Sequence, residues 1–164
     1  MYTESHSQSH QKKDKPATDT AYFERMCRVI FTAGLNWKMI ENKWPGIHQA
    51  FAGFDIPKVA NFLEPEIEEI MMNPDVIHNL AKVRAVIANA KEFQAISSEY
   101  GSFKNYLSEL KKSGGEDGLL KGVDQRFRFM GKSTTMFFLF SAGEELPEAH
   151  ESWMAHHKRS AAKK

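Results

Sequence analysis

The stretch with the clearest chemical potential is a helix, a short turn and a second helix: Ile67 to Met72, then Asn73-Pro74-Asp75-Val76-Ile77, then His78 or Asn79 onward. Such a corner aims the free N–H groups and positive dipole end of its second helix at solvent. That suits one backbone phosphate of a nucleic acid without help from net charge. His78 lies in the turn, with Lys82 and Arg84 just after it and Lys43 upstream. On spacing alone the same residues also describe an ordinary helical corner with a solvated histidine and surface cations. Trp37 and Trp44 stand at i and i+7 on one helix face, the spacing of two core anchors. Glu24 and Glu41 are the nearest carboxylates, and neither has a sequence partner that marks acid–base catalysis. No Walker loop, dinucleotide fingerprint, nucleophile elbow or HExxH motif occurs.

Any such site must be carried by a modest scaffold. The 164 residues suit one domain, and 22 Lys+Arg against 21 Asp+Glu give a formal net charge of +1. That balance excludes a polybasic protein binding through bulk charge, so nucleic-acid contacts must come from local patches. The single cysteine, Cys27, excludes an intrachain disulfide and a Cys-based tetrahedral zinc site. With no secretory pattern at the start and no apolar run near 18 residues, the reading is a cytoplasmic monomer with no membrane segment. Met136 to Gly143, the most apolar stretch, reads as a buried core element.

Three regions follow: a disordered tail over 1–18, a helical domain over 19–147 and a charged tail over 148–164. Phe23, Met26, Cys27, Ile30 and Phe31 form the stripe of a first helix, ended by Gly34. A second begins at Asn36-Trp37 and should stop at Pro45-Gly46, followed by a short helix from Ile47 to Phe51. Asp55 caps the next, Leu63-Glu64-Pro65-Glu66 restarts the helix, and Asn73-Pro74 stops it. The longest runs from Leu80 to about Ser97, and Ser102 caps another through Leu110. Lys111 to Gly118 reads as a flexible break, and Gly131 divides QRFRFM from a final buried helix. No period-2 strand is found, so the expected fold is all-α, a compact array of about seven or eight short helices.

FERMCRVIFTAGLNWKMIENKW, FAGFD, PDVIHNLAKVRAVIANA and FRFMG, in that order, closely resemble the type I DNA-3-methyladenine glycosylases, a branch of the helix-hairpin-helix glycosylases. The resemblance spans about Phe23 to Ala142. It implies a helix-hairpin-helix element and an enzyme that acts on double-stranded DNA, extrudes an alkylated base and cuts its N-glycosidic bond without a cofactor. Trp37 matches a pocket tryptophan whose electron-rich face favours a cationic base, with Asn36 and Val29 beside it. Asn73, Asp75, Val76, His78, Asn79 and Lys82 match the hairpin that grips the DNA backbone, and Lys132 and Ser133 fall in a Gly-Thr-Thr-like segment near the pocket.

Two departures bear on activity. Val29 stands where the family has a base-recognising glutamate. Residues 1–18 lack the Cys and Trp that complete the family's pocket and zinc site, so no metal is expected. The leading reading is a base-excision glycosylase that works by stacking and shape. The others are a catalytically degenerate DNA- or lesion-binding relative and a helical protein-interaction module.

Overall fold

The computed structural model describes residues 15–147. The chain forms α1 (Asp19–Thr32), α2 (Trp37–Ala50), a 3₁₀ turn (Ala52–Phe54), α3 (Ile56–Ala60), α4 (Glu64–Met72), α5 (Leu80–Tyr100), α6 (Phe103–Arg126) and α7 (Lys132–Ser141). No strand occurs among the described residues, and no helix there is long and apolar enough to cross a membrane. Of the expected tails, 1–14 and 148–164 lie outside the described residues. The described body begins before Asp19, for Pro16 is buried and Thr18 caps α1 by accepting from the Ala21 N–H at 3.1 Å.

α1 forms because its apolar residues recur at helical spacing, and it sits in the middle because that whole stripe, Phe23 to Phe31, is buried. Phe23 meets Phe93 of α5 edge-on at 5.3 Å, and Tyr22 tilts against Phe103 of α6 at 4.9 Å. Phe93 stacks on Phe103 at 4.5 Å, closing an aromatic centre that α1, α5 and α6 share. Each fully buried ring contributes about 1.5–3 kcal/mol by burial alone. That centre fixes the rigid body from which the surface turns project.

Two sequence expectations are corrected. α2 does not stop at Pro45-Gly46; it runs through Pro45 to Ala50. Proline removes a donor toward the carbonyl of Glu41, but both residues are exposed, so water can take the orphaned oxygen. Trp44 and Ile47, both buried, hold the helix on either side. The break expected over Lys111–Gly118 shrinks to Gly115, whose φ of 64° and ψ of −150° only glycine adopts freely. α6 folds back there: the Tyr106 hydroxyl donates to the Gly122 carbonyl at 3.2 Å, and Leu110 packs against Gly118 and Gly122.

Candidate functional site

The turn joining α1 to α2 presents the aromatic candidate. Ala33 N–H donates to Val29 O at 3.0 Å and Leu35 N–H to Thr32 O at 2.9 Å, while Gly34 takes a φ of 77°. Asn36 then caps α2, its Oδ1 accepting from Lys38 N–H at 2.8 Å and Met39 N–H at 3.4 Å. Trp37, the first residue of α2, therefore stands proud of the body with 55% of its surface exposed, flanked by Leu35 at 41%. Val29, one turn back on α1, is half-buried against the core and offers only methyl groups.

The hairpin between α4 and α5 is built by its own side chains. Asn73 Oδ1 accepts from Asp75 N–H at 2.9 Å, a His78 ring nitrogen lies 2.6 Å from Asn73 O, and Asn79 Oδ1 accepts from Lys82 N–H at 3.1 Å. Val76 plugs the hairpin into the core at 3% exposure. Lys43 of α2 donates to Pro74 O at 3.2 Å, and Gly46 of α2 lies so close to Asp75 that a Cβ there would meet Asp75 Cβ at 2.7 Å. Among the described residues, the N–H groups of Ile77, His78, Leu80 and Ala81 make no hydrogen bond. These donors and the positive end of the α5 dipole suit a phosphate.

α7 offers a second open helix start. Gly131 gives no side-chain cap, and Lys132 and Ser133 are exposed in the first turn, after an exposed Phe129 held at a φ of 60°. Tyr22 lies in the field of Glu144, and Arg25 donates to the Ser141 carbonyl, so the start of α1 packs against the end of α7. The turn that carries Trp37 lies at the other end of α1. The hairpin is tied to that turn through Lys82, whose ammonium donates to Ala33 O at 2.7 Å and Phe31 O at 3.3 Å.

Lys82 and Val76 are corrected as direct DNA contacts, because both side chains are buried. Burial holds the Lys82 pKa below its ordinary value, and its donors already face carbonyls. The side-chain oxygens of Asn73 and Asn79 and the N–H groups of Asn73, Asp75 and Asn79 are engaged in building the hairpin, which leaves the N–H groups of Ile77, His78, Leu80 and Ala81 open. Trp44 stays in the core: it stacks on Phe54 at 5.3 Å, and its Nε1–H donates to Glu24 Oε1 at 3.1 Å. Cys27 is buried, which raises its thiol pKa well above the ordinary value and leaves it inert. Sequence reasoning missed Leu35 and Phe129; an apolar residue beside a turn glycine was the available signal for Leu35.

No group of three or more His, Cys, Asp or Glu able to hold a metal occurs among the described residues; His6, His10, His150, His156 and His157 lie outside them. A cavity of about 660 Å³ lined by Phe62, Arg84, Asn89 and Arg128 does not include Trp37. The exposed indole and the open start of α5 are thus linked through Lys82.

The sequence profile of the methyladenine glycosylases matches residues 2–136. The chain belongs to the methyladenine glycosylase family. DNA-3-methyladenine glycosylase of Haemophilus influenzae is 28% identical over 154 residues, covering 82% of this chain and 83% of that protein. DNA-3-methyladenine glycosylase 1 of Escherichia coli is 28% identical over 147 residues, covering 78% and 79%. The solved 3-methyladenine DNA glycosylase I of Staphylococcus aureus superposes with a TM-score of 0.72 at 26% identity, covering 82% of this chain and 81% of that one. The all-α fold is thus that of the methyladenine glycosylases, and the turn, hairpin and α7 start all fall within the matched residues.

Proposed function

We propose that this family member is a base-excision DNA glycosylase that releases 3-methyladenine from double-stranded DNA. The observation that carries the reading is the exposed Trp37 indole, set on a locked turn beside the open amides of α5. DNA sits with its backbone on the hairpin and on Lys132 and Ser133, and Leu35 fills apolar space against the base stack. The flipped base stacks on Trp37. N3-methylated adenine carries a positive charge, and an electron-rich indole face attracts it by about 0.5–2 kcal/mol.

The chemistry asks little of the protein. The bond between C1′ and the base nitrogen breaks, its electron pair neutralises the purine cation, and water adds to C1′ and loses a proton to solvent. Ordinary adenine is neutral and leaves poorly, so selection lies in the leaving group as well as in the pocket. Val29 supplies neither an acceptor for the base amino group nor a countercharge, so recognition here runs on stacking and shape.

The test is release of free methylated purine from alkylated duplex DNA, resolved by chromatography, with Val29→Glu and Trp37→Ala variants alongside. Release by the wild type, strongly reduced in Trp37→Ala, is the expected result. No release by the wild type but release by Val29→Glu would refute catalysis and favour a lesion-binding relative that lost its recognition group.

A further inference from the structure

Lys82 is 5% exposed, and its ammonium reaches the carbonyls of Phe31 and Ala33 at the end of α1. α1 has no basic residue in its own last turn to meet those oxygens. α5 therefore supplies, from 49 residues further along the chain, the cation that α1 lacks. The same residue's backbone N–H is held by Asn79 at 3.1 Å. Lys82 is thus tied at its main chain to the hairpin and at its side chain to the turn that ends in Trp37. Burying an ammonium is unfavourable, and an apolar side chain of similar length would fill the space without that cost. What the ammonium adds is direction: two bonds to fixed carbonyls hold the turn in one place relative to the hairpin.

We propose that Lys82 is a positioning residue that couples the phosphate-facing hairpin to the base-stacking turn. A hairpin seated on the DNA backbone then sets where Leu35 and Trp37 stand, through one buried side chain. For its activity arm this rests on the glycosylase reading above; its structural arm does not.

The test compares wild type with Lys82→Met, which keeps the stem and removes the ammonium, and Lys82→Gln, whose amide N–H can still donate. Four readouts are needed: cooperative unfolding, affinity for undamaged duplex as a function of salt, hydrogen exchange at the amides from Ala33 to Met39, and base release under single-turnover conditions. Lys82→Met is expected to fold cooperatively and bind undamaged duplex with an unchanged salt slope. Exchange in the turn should rise about tenfold. Base release should slow by about tenfold or more in the rate of the bound complex, with partial recovery in Lys82→Gln. A salt slope reduced by about one with uniformly weaker binding would make Lys82 a phosphate contact and overturn the proposal. Unchanged exchange and release would overturn it as well. Failure of both variants to fold cooperatively would leave only a structural role, and would overturn it too. If the wild type releases no base, the glycosylase reading fails by itself, and hydrogen exchange alone decides the coupling.

Discussion

Trp44 donates its indole N–H to Glu24 Oε1 at 3.1 Å, which anchors α2 to α1 through a half-buried carboxylate. The same carboxylate lies 3.8 Å from His48 Nε2, and the Arg28 guanidinium sits over the Trp44 ring at 5.2 Å. Trp44 is therefore held on every side, whereas Trp37, two helical turns earlier, keeps more than half its surface exposed. The two tryptophans have separable roles. Trp44→Ala should destabilise the fold by about 3–5 kcal/mol, since it leaves a cavity where the indole stacks on Phe54. Trp37→Ala should cost less than about 1 kcal/mol in stability yet slow base release by about tenfold or more, stacking being worth about 1–3 kcal/mol. Urea unfolding and the release assay together separate the two.

Tyr22 predicts the alkaline behaviour. Its hydroxyl is buried and has no hydrogen-bond partner among the described residues, and burial with the Glu144 charge raises its pKa above the ordinary value. The unfolded phenol ionises first, so this group's contribution is fully present below about pH 10 and is lost as pH rises beyond that. Lys82, whose folded pKa is lowered, acts with the opposite sign just below the ordinary lysine value. Tyr22→Phe should be neutral or stabilising by about 1 kcal/mol at neutral pH, and should flatten the alkaline loss. Denaturant unfolding across the alkaline range, wild type against variant, reads the difference directly.

Gly34 and Gly46 should respond differently to alanine. A Cβ at Gly34 would meet nothing within 4 Å, so Gly34→Ala carries only the backbone cost of a φ of 77°. That cost is about 1 kcal/mol, with a shift of the Trp37 turn. At Gly46 the added carbon would strike Asp75 Cβ at 2.7 Å and push the hairpin away from α2. Gly46→Ala should destabilise by about 1–3 kcal/mol and weaken binding to any duplex, measured by unfolding and by fluorescence anisotropy.

Lys132 and Asn79 give a further pair. Lys132 is exposed at the open start of α7, so Lys132→Ala should weaken duplex binding evenly across sequences and reduce the salt slope by about one. Asn79 holds the first turn of α5 at the Lys82 N–H, so Asn79→Ala should cost about 1 kcal/mol of stability. Its salt slope should stay unchanged, because no cation is removed. Titrations at several salt concentrations distinguish the outcomes.

Local rules in the sequence determined most of the helices. Thr18, Asn36, Asp55, Asn79 and Ser102 act as caps through their own short side chains, and the Phe23-to-Phe31 stripe declares its buried face by spacing alone. The family and the hairpin were legible for the same reason, since each is carried by contiguous runs of residues, whereas spacing alone reads Trp37 as a core anchor and the fold leaves it 55% exposed. The tertiary structure decided everything that depends on a neighbour distant in sequence. Pro45 stays inside α2 because Trp44 and Ile47 find partners in the core, and Gly115 becomes a sharp reversal because Tyr106 reaches Gly122. Lys82 reads as a surface cation at the start of a helix, yet it is buried, because the end of α1 places two carbonyls against its ammonium. A sequence shows which groups carry charge and hydrogen-bonding capacity; only the fold determines whether water, DNA or another part of the chain satisfies them.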